Sequence, residues 1–225
     1  MLLLAQTWLG LGAETQPALS AAGIPLDAPW KVAVHDFVRS NLQHSAWGLA
    51  HAERDFLLAQ TLARSEKLTV DEDVLFAAAF LHDVGVFPPY PKEGVDHTER
   101  SAQVAAEILG PVGFPMDKLA KVQEAMRSHM FYSKVGESTE AIVLHDADTL
   151  DFLGNIGIAR ILSLTTRHKW APDMPGAIST LKKFRHDLPD KLITKSAQRL
   201  GVKRVLEMDE FLRRIKAQSN EGKAL

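Results

Sequence analysis

Phe76-Ala-Ala-Ala-Phe-Leu-His-Asp-Val-Gly85 is an apolar helical run that ends on an imidazole beside a carboxylate, just before a glycine. Two such groups at the end of a buried helix cost free energy unless each is paired or ligated once water is excluded. A metal ion meets that need, because it accepts neutral imidazole nitrogen and carboxylate oxygen together. Adjacent residues inside a regular helix point in different directions, so His82 and Asp83 can share one ion only if the helix ends there. Gly85, followed by Pro88 and Pro89, supplies that ending.

Two neighbouring ligands do not close a site, so others must come from elsewhere in the chain. Upstream, His51 stands in a segment where Leu49, Phe56, Leu57 and Leu62 recur at helical spacing. Downstream, Asp146, Asp148 and Asp151 fall within one short stretch. The resulting order is one His, then His-Asp, then a distant Asp.

With these blocks the chain resembles the HD-domain metal-dependent phosphohydrolases, in particular their small bacterial members. His51 with Arg54, Leu81-His-Asp-Val-Gly85, His97 with Ser101-Ala102, Ser128-His129, and Asp146-Ala-Asp-Thr-Leu-Asp151 with Gly157-Ile-Ala-Arg160 look like the corresponding family blocks. The resemblance implies an all-α HD bundle over residues 44–217, an N-terminal segment and helix packed on it over 1–43, and a flexible tail over 218–225. It implies metal ligation by His51, His82, Asp83 and Asp148, with His97, His129 and Arg160 as further site residues. Thr149 departs from the pattern, since relatives often carry Lys or Arg there to hold a phosphate.

The dipeptide His-Asp occurs four times, at 35, 82, 145 and 186, and alone decides nothing. His35 has no histidine before it, and His186 sits among Lys182, Lys183 and Arg185, so both read as solvated helix faces. His145 reads as a neighbour of the ligand Asp148 or as a partly exposed helix end, and is not placed among the ligands.

Composition bounds the chemistry. The chain has 225 residues, 46% hydrophobic and 24% charged, which suits one globular all-helical domain. A net charge of -2 gives no electrostatic case for binding a nucleic-acid polymer. With no cysteine, disulfides, thiolate metal sites and cysteine nucleophiles are excluded together, and any metal must rest on the nine histidines and the carboxylates.

The apolar start, Met1 to Ala13, has no positive residue before Lys31 and carries Gln6-Thr7 inside the run, so it reads as a packing segment rather than a signal peptide or membrane span. A cytoplasmic location follows from that reading. Helices are expected from Trp30 with Val34, Phe37, Val38 and Leu42 on one stripe, over about 45–65, from an Asp71 cap to Asp83, from His97, and from near Pro115 to His129. A helix is expected from Asp148 through Leu153 to Leu164, with Gly154 and Gly157 admitting a neighbouring backbone, and two more between Pro175 and Lys216. The Pro/Gly-rich stretch between Gly85 and Asp96 is placed either to roof the site, with Tyr90 and Lys92 near a substrate, or as a plain surface connection.

The expected activity is hydrolysis of a phosphate ester or anhydride of a small molecule, a nucleotide foremost, by hydroxide on a divalent ion. Mn, Fe, Co, Ni, Zn and Mg are not distinguished, and a second ion stays open. Because fold does not fix reaction, the alternatives are hydration of a cyanamide-like substrate, a di-iron oxygenase, and a nucleotide-binding sensor without turnover. Apolar helix faces leave a homodimer open.

Overall fold

The computed structural model describes residues 18–225, so the packing segment expected at the extreme N-terminus lies outside the described residues. Helix α3 (Glu72–Leu81) forms the centre. Asp71 caps it, accepting from the amides of Asp73 and Val74, and every residue from Val74 to Leu81 is buried. An apolar helix with no polar face must be covered all round. Phe76 and Phe80 stack at 4.1 Å, and Trp30 and Phe56 each meet Phe76 edge-on at 5.5 Å.

The cover comes from α1 (Pro29–Asn41), α2 (Leu49–Glu66), α5 (Leu119–Ser128) and α6 (Thr139–Asp151). Helix α2 lies along α6, and this pairing sets their inner faces opposite one another. Helix α4 (His97–Leu109) starts at the cap Asp96 and packs on α5. Helices α7 (Gly154–Ser163), α8 (Met174–Asp187) and α9 (Lys195–Gln218) close the remaining side. The only strands among the described residues are the antiparallel pair β1 (Ala18–Leu19) and β2 (Pro25–Leu26), with Ala18 opposite Leu26. Beyond α9, the Ser219 side chain is buried and Leu225 packs on the core.

Three expectations change. The chain from Asp148 to Leu164 is not one helix: α6 ends at Asp151, Gly154 adopts a φ of +68°, and α7 starts there. Leu57 is 36% exposed; the inward stripe of α2 instead runs through His51, Asp55, Phe56, Ala59 and Leu62. His35 is not on a solvated face but buried, with its Nε2 3.8 Å from Glu53. His186 is exposed, as its lysine-rich surroundings implied.

No helix among the described residues is long and apolar enough to cross a membrane.

Candidate metal centre

Three elements deliver the central groups. His51 and Asp55 lie one turn apart on α2, Asp148 faces them from α6, and His82 and Asp83 occupy the turn where α3 stops. His82 is still helical in backbone while Asp83 has left the helix at φ -97°, ψ 2°. That change of direction lets the two neighbours converge, with His82 Nε2 3.3 Å from Asp83 Oδ2. Gly85 acts differently from the expected helix stop: a Cβ there would sit 2.6 Å from the His97 carbonyl and 2.9 Å from the Ser101 amide. Its bare backbone is what allows the start of α4, and with it His97, to reach Asp83.

The histidine rings are fixed by their outer nitrogens. His51 Nδ1 donates to Asp151 Oδ2 at 2.8 Å, His82 Nδ1 to the Ala79 carbonyl at 2.8 Å, and His129 Nδ1 to the Met126 carbonyl at 2.7 Å. A carboxylate or carbonyl can only accept, so in a neutral ring each Nδ1 carries the hydrogen and each Nε2 presents a lone pair inward. The Nε2 atoms of His51 and His82 face each other at 3.1 Å. Asp55 Oδ2 lies 3.2 Å and Asp148 Oδ1 3.4 Å from His51 Nε2. Asp83 Oδ1 reaches the other way, 3.5 Å from His97 Nε2 and 3.7 Å from His129 Nε2.

Inward lone pairs beside carboxylates repel unless a cation or proton lies between them. Both Asp55 oxygens, Asp148 Oδ2 and His129 Nε2 are buried without any hydrogen-bond partner. Ligand atoms of His51, Asp55, His82 and Asp148 lie within 4.8 Å of one another, as do those of His82, Asp83 and His129. Hard oxygens with imidazole nitrogens, orphaned and convergent, fit a divalent cation. Asp55 was missed in the sequence; its signal is the i, i+4 spacing from His51.

The electrostatics agree with that crowding. Burial and Arg160 both lower the His51 pKa, yet Asp55, Asp148 and Asp151 together raise it above the ordinary value. Burial lifts the Asp55 carboxyl well above the usual carboxylate range, against the pull of His51. Burial, reinforced by His82, pushes His129 down to about 3, so its ring stays neutral. Burial would raise Asp83, but His82, His97 and His129 hold it well below the ordinary value.

Arg160 crosses the back of the site. Its Nε donates to the Ala46 carbonyl at 2.7 Å, its Nη2 approaches His51 Nε2 at 3.3 Å, and its guanidinium lies 4.1 Å above the Phe152 ring. Arg54 makes two hydrogen bonds to Asp151, at 2.9 and 2.8 Å. Asp151 is thus clamped by two arginines while it orients His51.

Other assignments turn away from the centre. Asp146 accepts from the amides of Ile193 and Thr194 and from the Thr194 hydroxyl, and so anchors the approach to α9. His145 is neither exposed nor a ligand neighbour in the cluster: its nitrogens meet the carbonyls of Ser128 and Lys191. Thr149 is fully buried. Tyr90 does not roof the site; it packs against Phe37 and lines a separate cavity of about 230 Å³, and Lys92 lines neither cavity.

A cavity of about 510 Å³ opens over the cluster, reached by Asp83, His97, Asp148 and Arg160 and walled on its outer side by aromatic rings.

Residues 48–153 match the HD domain family. Among solved structures, the chain is similar to a "predicted HD superfamily hydrolase" from an uncultured Thermotogales bacterium, at 27% identity and a TM-score of 0.60, covering 85% of this chain and 94% of the other. It is similar to Bacillus subtilis YpgQ, crystallised in complex with ADP, at 23% identity and a TM-score of 0.63, over 84% and 97% of the two chains. An HD-superfamily hydrolase from Bacillus thuringiensis aligns at 20% identity and a TM-score of 0.60, over 85% and 95%. The last two likenesses show the fold alone. Comparison with curated protein sequences gives no match.

Proposed function

Because the chain carries an HD domain over residues 48–153, we propose that it is a metal-dependent phosphohydrolase that cleaves a phosphate ester or anhydride of a small molecule, in the first instance a nucleotide. The observation that carries this reading is the set of inward Nε2 atoms, each fixed through its Nδ1, set against the unpartnered oxygens of Asp55 and Asp148. The presence of ADP in the YpgQ crystal is compatible with a phosphorylated ligand for this fold.

In this reading His51, His82, Asp83 and Asp148 hold a divalent ion, with Asp55 as an added carboxylate from α2. Such an ion, when bound, supplies a nucleophilic water at neutral pH and neutralises charge developing on phosphoryl oxygens. The chain's own residues supply the rest. Arg160 lines the cavity while its Nη1 pairs with Asp151 at 3.1 Å, and its guanidinium, oriented by that pair, is placed to offer positive charge to a phosphate oxygen, a task relatives give to the position of Thr149. His97 lines the cavity with Nδ1 3.3 Å from the Tyr132 hydroxyl and Nε2 facing Asp83, which suits it to pass a proton between the reacting centre and solvent. His129, neutral and buried, offers its free Nε2 on the Asp83 side, where a second ion would bind.

The test is phosphate release from nucleoside mono-, di- and triphosphates with Mn, Co, Ni or Mg, on wild type and Asp83→Ala in parallel. Release by the wild type alone supports the reading. No release from either, with metal bound to the wild type, overturns it in favour of a hydratase, an oxygenase or a sensor.

A further inference from the structure

The outer wall of the 510 Å³ cavity is built from side chains that the metal chemistry does not use. Trp47 comes from the turn before α2, Phe131 and Tyr132 from the segment after α5, Phe152 from the break between α6 and α7, and His168 to Trp170 from the segment between α7 and α8. All lie at the end of the bundle that holds the histidines.

These rings meet at steep angles. Trp47 and Trp170 are 6.2 Å apart at 80°, and Trp170 meets Phe152 at 5.7 Å and 75°. His168 closes the corner, 5.2 Å from Trp47 and 5.1 Å from Trp170. Trp47 is braced from behind by His44, stacked on it at 4.0 Å and 11°, while Phe184 braces Trp170 at 5.5 Å. Burial lowers the pKa of both His44 and His168, so the imidazoles of this corner are neutral and act as flat surfaces. Trp47 and Trp170 nevertheless remain only partly buried, facing the cavity instead of sealing it. Braced, half-exposed aromatic planes beside a polar reaction centre are what a planar ligand group needs.

We propose that this corner binds the base of a nucleotide by stacking and edge contact, and that it selects for a planar aromatic group without reading which base it is. The inference rests on the nucleotide reading above and deepens it. Base identity is read by side-chain amides, hydroxyls or charges placed on the hydrogen-bonding edge, whereas no Asn, Gln, Ser or Thr lines this cavity, its one hydroxyl, on Tyr132, is engaged by Asp96 and His97, and Arg160 and the aspartates Asp83, Asp96 and Asp148 gather at the histidine end. Stacking is tolerant because every base has a π-face. Lys169, on the same segment and lining the cavity, brings one positive charge to the rim for an anionic ligand.

The experiment is calorimetric binding of AMP, GMP, CMP, UMP and ribose 5-phosphate to the full chain with Mg2+. The ligands are titrated into wild type, Trp47→Leu, Trp47→Phe, Trp170→Leu and Trp170→Phe. The four nucleotides are expected to bind within about tenfold of one another and at least tenfold tighter than ribose 5-phosphate. The Leu variants are expected to lose roughly 5- to 150-fold in nucleotide affinity, the range for one base–aromatic stack, and the Phe variants to recover most of it. Ribose 5-phosphate binding as tightly as AMP, a preference above a hundredfold for one base, equal affinity in wild type and Leu variants, or no nucleotide binding overturns the proposal. Because binding needs no turnover, stacking-dependent affinity without phosphate release would refute the phosphohydrolase and leave this subsite standing. Phosphate release with no preference for aromatic substrates would do the reverse.

Discussion

Replacing Asp55 by Val separates stability from metal binding, because the two respond in opposite directions. Asp55 is fully buried and neither oxygen has a hydrogen-bond partner, a situation that costs about 1–3 kcal/mol in a folded protein. Valine has a similar volume and no polar atoms; its β-branch costs roughly 0.5 kcal/mol in a helix. The metal-free variant is therefore expected to gain about 0.5–2.5 kcal/mol, or roughly 1–10 °C in Tm for a chain of this size. Metal acts against that gain and favours the wild type. At an ion concentration of about 100 Kd the wild type gains about 2.7 kcal/mol from binding. Losing even a partner of a metal ligand weakens affinity about 10- to 100-fold, which leaves the variant only about 0.4–1.4 kcal/mol at the same concentration. The assay is thermal melting by circular dichroism in chelator and across a Mn2+ titration. A variant that melts below the wild type in chelator, or shows the same metal-induced rise, would refute the reasoning about Asp55.

Three further outcomes follow from the same geometry. Asp151→Asn removes the charge that orients His51 Nδ1 and answers Arg54 and Arg160; breaking such a buried pair costs about 3–5 kcal/mol, and a melting temperature within 2 °C of wild type would sink this account. Gly85→Ala places a Cβ 2.6 Å from the His97 carbonyl, so α4 must shift, at about 1–3 kcal/mol; unchanged stability and metal affinity would show that the close approach does not matter. In acid, Arg185 holds Asp209 and Arg127 holds Glu99 below their ordinary values. Depressed folded values mean that this stability is complete above the unfolded values of about 4 and is lost as pH falls through the folded ones. Tm measured from pH 6 to 3 should fall most steeply below about 4, and less so in high salt; a flat profile contradicts it.

What the sequence made legible was whatever one local pattern could carry. The cap Asp71 marks a helix start because its side chain satisfies amides two and three residues on, and the apolar run from Val74 to Leu81 announces its own burial. His82 and Asp83 stood out because an uncovered imidazole and carboxylate at the end of such a run demand a partner. Asp55 stayed hidden for the converse reason. Following only apolar residues along α2 puts Leu57 inside, whereas the true inner stripe passes through His51 and Asp55, two polar groups made tolerable by a partner from other helices. The helix break after Asp151 was missed because Gly154 reads equally well as a small packing residue, and only its φ of +68° shows that it turns the chain. His35 looked solvated because its covering partner, Glu53, lies on a different helix. The aromatic corner is the extreme case: Trp47, Phe131, Phe152 and Trp170 belong to four separate connections, each too irregular for a periodicity argument. Only closure of the bundle sets them around one cavity. The groups proposed for the ion thus announce themselves partly in sequence, since their spacing along helices is local. The groups proposed to choose the substrate do not, because their neighbourhood is made entirely by tertiary packing.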